Sequence, residues 1–233
     1  MGQLTGKTAI ITGASSGIGA TIARHLANEG ANVVLAARRK EKLDAIAEEI
    51  NSKENGQALA IATDVANQSE VEAMVQQAIE AFGPISIYIN NAGLMLDAKI
   101  RNGKVDEWDK MIDVNLKGTL YGVNAVIPSM VERATGHIIN ISSVSGHEVT
   151  KVSSVYSATK FAIRALSMGM EKELAHTGVR VTNISPGMVD TELAGNRSGG
   201  RKPLDTDDIA RAIVYAVTQP DYVNVNEITV RPV

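Results

Sequence analysis

The chain has 233 residues, 44% of them hydrophobic and 21% charged, with a formal net charge of −3. That balance describes a globular chain able to build a core, and it gives no electrostatic case for nucleic acid or an anionic membrane as partner. There are no cysteines, which excludes disulfides, thiol nucleophiles and cysteine-held metals. With no signal-peptide pattern at the amino terminus and no apolar run near the ~18 residues of a membrane span, a cytoplasmic location is the expectation.

Lys7 to Thr12 is a short β-branched apolar run that stops at Gly13, the pattern of a strand buried on both faces. The glycine-rich turn Gly13 to Gly19 leads into an amphipathic helix closing near Gly30. Asn32 to Ala37 reads as a second strand, Glu41 to Ile50 as a second helix and Gln57 to Thr63 as a third strand. Asn67 followed by Glu70 has the spacing of a capping box opening the next helix. Ile85 to Asn90 is a fourth strand, and a single long helix is expected from Val105 to Arg133, with Asn115 mid-way and a kink at Pro128. His137 to Ser142, Val179 to Ser185 and Glu227 to Val230 complete the strands; Val155 to Ala175 and Asp205 to Gln219 complete the helices. Strict alternation with short connections predicts one α/β domain over residues 1–233, a doubly wound Rossmann-type fold with a seven-stranded, mostly parallel sheet and helices on both faces. The basic, glycine-rich stretch Ala194 to Pro203 lacks apolar anchors, and a mobile lid over the substrate is expected around 189–204.

Two stretches carry chemistry. Tyr156 and Lys160 lie four apart, so a helix puts phenol and ammonium on one face. A free Tyr titrates near ~10, and bringing it towards ~7 takes roughly 4 kcal/mol. One positive charge about 4–5 Å away at an effective dielectric near 20 supplies roughly that. At the other stretch, Gly-x-x-x-Gly-x-Gly after a buried strand offers a tight turn, close backbone approach to a diphosphate and a helix amino terminus facing it. The second strand ends Ala36-Ala37-Arg38-Arg39-Lys40, with no carboxylate to hold a ribose 2′-hydroxyl. Arg38 reads as the 2′-phosphate ligand, with Arg39 and Ser15 as helpers, which favours NADP(H) over NAD(H).

The segments Thr12-Gly13-Ala14-Ser15-Ser16-Gly17-Ile18-Gly19, Asp64-Val65, Asn90-Asn91-Ala92-Gly93, Asn115, Ser143, Tyr156-Ser157-Ala158-Thr159-Lys160 and Ser185-Pro186-Gly187 follow one another in an order and spacing that resemble the short-chain dehydrogenase/reductase superfamily. Within it the chain is similar to NADP-dependent 3-hydroxy acid (serine-type) dehydrogenases and clavulanate-type aldehyde reductases. The resemblance implies an enzyme moving a hydride between the nicotinamide and an aldehyde, ketone, 3-oxo acid or the matching alcohol. It implies catalytic roles for Asn115, Ser143, Tyr156 and Lys160: Tyr156 the general acid or base, Lys160 lowering its pKa and holding the nicotinamide ribose, Ser143 on the substrate oxygen, Asn115 positioning a water. The separation of thirteen residues common in the family, counted back from Tyr156, selects Ser143 over Ser142. It also implies cofactor contacts from Gly13, Ser15, Ser16, Gly17, Ile18, Gly19, Asp64, Val65, Asn91, Ala92, Gly93, Pro186, Gly187, Val189 and Thr191, no metal, and a homotetramer or homodimer built on the two long helices. Leu94, Met95, His147, Glu148, Val149, Met188 and Leu193 are candidates for the substrate pocket, with a solvent-facing loop position the stronger reading of His147. Arg197, Arg201 and Lys202 are candidates for recruiting a carboxylate. A 3-oxoacyl-carrier-protein reductase and a non-catalytic NADP-binding sensor stand as alternatives.

Overall fold

Period-two alternation in strands buried on both faces splits their side chains between two cores. Along β1 (Thr8–Thr12), Ala9 and Ile11 enter one apolar cluster and Ile10 the other; along β2 (Asn32–Ala37), Val33 and Leu35 face the first and Val34 and Ala36 the second. The computed structural model describes residues 2–53, 55–149, 153–192 and 202–233. Its further elements are α1 (Gly17–Asn28), α2 (Lys40–Asn51), β3 (Ala58–Ala62), α3 (Gln68–Phe82), β4 (Ile85–Asn90), α4 (Val105–Ile112), α5 (Gly118–Glu132), β5 (Gly136–Ile141), α6 (Ser154–Glu173), β6 (Val179–Pro186), α7 (Thr206–Val217) and β7 (Glu227–Val230). The strands form one seven-stranded sheet in the order β3-β2-β1-β4-β5-β6-β7, with all six pairings parallel.

The first cluster packs α1, α2 and α7 on one face through Ile22, Leu26, Leu43, Ile46, Ile209 and Ile213; the second packs α3 and α5 on the other through Met74, Val75, Val126 and Met130. Strand order reverses between β1 and β4, and in open α/β sheets the crevice at the carboxyl ends of such a pair is where ligands bind.

Two local expectations change. The long helix over Val105–Arg133 is interrupted: residues Asp113–Lys117 form a π turn between α4 and α5, with Asn115 buried at its centre. The Asn67 side chain caps α3 by accepting from Ser69 N (3.1 Å), but Glu70 does not return to Asn67 N as a capping box requires. Its carboxylate instead accepts from Asp64 N (2.8 Å) and from the Asn67 amide (3.0 Å), so it braces the turn after β3.

The α5 face of the sheet holds a buried hydroxyl with no partner among the described residues. Tyr88 is fully buried on β4, and its hydroxyl is unsatisfied among the described residues. It lies against Gly122 of α5, where an added Cβ would come within 2.4 Å of it. Since an orphaned buried hydroxyl costs about 1–3 kcal/mol, Tyr88→Phe is expected to raise stability by about 1 kcal/mol, read as a higher urea midpoint at constant slope. Gly122→Ala should do the opposite.

Candidate active site

At the switch point, Gly13 adopts φ +66° and a Cβ there would lie 2.8 Å from Ala92 Cα, so only glycine lets the β1 turn approach the loop after β4. At Gly19 a Cβ would fall 2.5 Å from both Asn91 Nδ2 and Gly13 O. The glycines make room for a polar staple. Thr12 Oγ1 accepts from the backbone N–H groups of Asn91 (3.0 Å) and Ala92 (3.1 Å), while Asn91 Nδ2 donates to Thr12 O (2.8 Å). Ser16 caps α1 without a side-chain bond to the helix, and the first turn faces the cleft. An amino terminus of that kind, beside a glycine turn, attracts anions.

At the end of β2 the two arginines differ in how they are held. Arg38 lines the cleft but has no hydrogen-bond partner among the described residues. Arg39, not Arg38, is built into the site. Its Nε and Nη2 donate to Ser15 Oγ (3.1 and 3.0 Å), Nη2 also to Ser16 Oγ (2.7 Å), and Nη1 to the Glu192 carboxylate (3.1 Å). Lys42 Nζ reaches the same carboxylate at 3.2 Å. Asp64 spends one oxygen on Ala66 N (3.0 Å), and Val65 packs against Gly118 at the floor of the cleft.

The opposite wall brings the four expected polar residues together. Both serines line the cleft, but Ser142 is buried and donates to Lys160 O (2.9 Å), whereas Ser143 accepts from Ser145 N (3.0 Å) and hydrogen-bonds Tyr156. Tyr156 is buried at 7% exposure against Ala98 and Met111, with its helix neighbour Lys160 Nζ 5.8 Å from the ring centroid. Lys160 donates to Ile141 O at 2.8 Å. Around it sit Gly93, where a Cβ would be 3.5 Å from Lys160 Nζ, and Asn115, whose Oδ1 would be 3.4 Å from that same Cβ. Asn115 clamps the loop after β4, accepting from Leu94 N (2.8 Å) and donating to Leu94 O (3.0 Å) and Thr159 Oγ1 (3.1 Å).

The electrostatics differ from expectation. Burial pushes the Tyr156 phenol up, the Ser143 hydrogen bond only partly opposing it, and burial pushes the Lys160 ammonium down to about 8. In the protein alone, desolvation is the largest influence on both groups; the ammonium sits over the Tyr156 ring and spends a hydrogen bond on the Ile141 carbonyl.

The short-chain dehydrogenase family model matches residues 7–202. The chain belongs to the short-chain dehydrogenase family. It is 55% identical to an uncharacterized oxidoreductase of Staphylococcus aureus (strain MW2), over the full length of both chains. Among solved structures it is similar to the closed form of a serine dehydrogenase complexed with NADP+, at 34% identity and a TM-score of 0.89, covering 96% of this chain and 94% of that one. It is also similar to an alcohol dehydrogenase from the archaeon Thermococcus sibiricus complexed with 5-hydroxy-NADP, at 31% identity and a TM-score of 0.89, covering 96% and 95%.

In this short-chain dehydrogenase one continuous cleft of about 700 Å³ joins the two walls. Gly13, Ser15, Ser16, Gly17, Ile18, Gly19, Arg38, Arg39, Asp64, Val65, Asn91, Ala92, Gly93, Ser143, Tyr156, Lys160, Pro186, Gly187, Val189 and Thr191 all line it, with Asn115 directly behind. Of the substrate-pocket candidates, Leu94, Met95 and Met188 line the cleft; His147, Glu148 and Val149 do not. His147 is not simply a solvent-facing loop residue. Its Nε2 meets Ser185 Oγ (3.0 Å) and Glu227 Oε1 (2.9 Å), while Arg164 grips the same carboxylate, tying the Ser143 loop to β6 and β7. Glu148 pairs with Arg231, and Val149 is exposed. Leu193, Arg197 and Arg201 lie outside the described residues, as does most of the expected lid. Its base is pinned by Leu204 N donating to Met188 O and Asp190 N donating to Leu204 O, both at 2.9 Å, and Lys202 is exposed beside it. Sequence reasoning missed Glu192. The only signal was a carboxylate one residue after Thr191, just ahead of the basic stretch Ala194 to Pro203.

Proposed function

We propose that the protein is an NADP(H)-dependent oxidoreductase acting on a carbonyl or its alcohol, an aldehyde, ketone or 3-oxo/3-hydroxy acid, with Tyr156 as general acid and base. The observation that carries this reading is the cleft itself: a guanidinium braced on Ser15 and Ser16 at one end, and Ser143, Tyr156 and Lys160 converging at the other. The residues fit a dinucleotide. Gly13 and Gly19 form a cradle that any Cβ would fill, the α1 amino terminus can take the diphosphate, and Arg39 the 2′-phosphate. Bound NADPH would supply the hydride.

The chain's own residues then do the rest. Ser143 and Tyr156 hold the carbonyl oxygen and stabilise its developing charge, and Tyr156 gives it the proton. Lys160, held by the Ile141 carbonyl, keeps a positive charge beside the phenol when Tyr156 is left as phenolate. Asn115 fixes the loop that carries Gly93 and Leu94, and with it the floor under Lys160. Leu94, Met95 and Met188 give an apolar substrate wall and exclude water. A sensor that binds cofactor without chemistry has no need of this complete set. Assembly through α5 and α6 belongs to the same reading: Leu120 and Val131 on one and Phe161 and Met168 on the other are exposed apolar side chains, beside exposed Ala158 and Ala165 on α6.

The cofactor assignment is tested by Arg39→Ala. A charge-assisted, multiply bonded guanidinium–phosphate contact predicts NADPH binding weakened roughly 10- to 100-fold, with NADH changed less than about threefold. Calorimetric titration reads both. Equal weakening of the two cofactors, or a larger effect from Arg38→Ala, would overturn the assignment.

A further inference from the structure

The basic cradle at the end of β2 already holds an anion, and it comes from the chain itself. Glu192 places one carboxylate oxygen 3.1 Å from Arg39 Nη1 and 3.4 Å from Ser16 Oγ, and the other 3.2 Å from Lys42 Nζ. Arg39 and Ser16 belong to the cradle that would take a 2′-phosphate, so the carboxylate sits where that phosphate needs its ligands. The pairing is electrostatic: hydrogen bonds from Arg39 and then Lys42 hold the Glu192 carboxyl below its ordinary range. The segment that delivers it is tethered at Leu204 on one side and lies over the glycine turn on the other, with Thr191 Cγ2 3.3 Å from where a Gly17 Cβ would stand.

We propose that Glu192 is a resident competitor for the 2′-phosphate, displaced when NADP(H) binds and left in place when NAD(H) binds. The inference rests on the NADP(H) reading above. All three partners are 44–63% exposed in their side chains, so the ion pairs are individually weak and exchangeable. A phosphate dianion offers Arg39 and Lys42 more charge and more acceptors than a carboxylate does. Exchange therefore favours the phosphorylated cofactor while making it repay the lost pairs. Glu192 thereby sets how tightly NADP(H) is held without touching the reacting atoms, and its release frees the end of the 188–192 segment on which Met188 lines the substrate wall.

The experiment is calorimetric titration of wild type and Glu192→Gln with NADPH, NADH, 2′-AMP and 5′-AMP. Removing the competing charge is expected to tighten NADPH and 2′-AMP by about three- to tenfold, the size of one or two exposed ion pairs, and to leave NADH and 5′-AMP within about twofold. Raising the salt concentration should shrink the difference between wild type and variant for the phosphorylated ligands. Unchanged or weaker NADPH and 2′-AMP binding in the variant, with wild type still preferring NADPH over NADH, overturns the competitor role and leaves the cofactor reading standing. A wild type that binds NADPH no more tightly than NADH overturns both. Because Glu192 is exposed and its ion-pair partners Arg39 and Lys42 are exposed too, the variant is expected to fold; an unchanged melting curve verifies it, and Glu192→Ala should reproduce the result.

Discussion

Tyr156→Phe is expected to cut turnover of aldehydes and ketones by about 10³-fold, roughly 4 kcal/mol of transition-state stabilisation, with NADPH affinity within about twofold of wild type. The substitution deletes one oxygen and keeps the ring that packs on Ala98 and Met111, so the fold and the cofactor end are untouched. On the mechanism proposed above, what goes is the proton donor and one of two hydrogen bonds to the carbonyl oxygen. Ser143→Ala removes only the second hydrogen bond and should cost less, about 10²-fold. The direction of the shifts adds a pH signature. Burial holds Tyr156 protonated, so as an acid for reduction it is loaded throughout the neutral range. Lys160, at about 8, is cationic at pH 7 and loses its proton as pH rises through 8, and with it the charge that stabilises the phenolate. Reduction should therefore decline above pH 8 in wild type. Loss of NADPH absorbance with a small carbonyl panel measures all of this, and turnover of Tyr156→Phe within tenfold of wild type would sink the mechanism.

How much of this was readable from the residues varies with the physics behind each feature. The strands were readable because burial on both faces leaves a short, near-continuous apolar run, as at Thr8–Thr12 and Asn32–Ala37. The glycine turn was readable because Gly13 and Gly19 are positions where no Cβ fits. Tyr156 and Lys160 were readable as a pair because helical spacing alone puts them on one side. The π turn at Asp113–Lys117 was not, since the contacts Asn115 makes from it, to Leu94 and Thr159, lie 21 and 44 positions away in the chain. The engagement of Arg39, rather than Arg38, with Ser15 and Ser16 was also hidden. Both follow the same strand, and only the local backbone decides which guanidinium turns to Ser15 and Ser16. The titration of Tyr156 went astray because a spacing argument counts the charge and leaves out the desolvation that buries it. Glu192 and the His147–Glu227 pair join residues 153 and 80 positions apart, beyond any local pattern.

The largest stability effect is expected away from the cleft, at the opposite end of β5. His137 is 1% exposed, and its Nε2 meets Thr182 Oγ1 at 2.8 Å while its Nδ1 has no partner among the described residues. Burial, with the Arg180 charge adding to it, pushes the imidazole down from 6.5 to about 3. The folded state thus excludes a proton that the unfolded chain binds below 6.5, and stability falls as pH drops through that window. With one proton taken up on unfolding, the loss is about 1.4 kcal/mol per pH unit, or about 2–3 kcal/mol between pH 6.5 and 4.5. Below 4.5 carboxylates held low in the fold add to the loss: Glu49, kept near 2 chiefly by its Arg24 hydrogen bond, contributes stability present above 4.5 and lost towards 2. The upper window therefore leaves the carboxylates out, and a His137 variant separates this histidine from the other three. Urea unfolding at stepped pH should show the wild-type midpoint falling from pH 6.5 to 4.5, and His137→Asn, which keeps a polar partner for Thr182 but cannot take the proton, should be less stable at pH 7 yet nearly flat across that interval. A wild-type curve already flat there would mean that the imidazole carries its proton inside the fold, against both its burial and the neighbouring guanidinium.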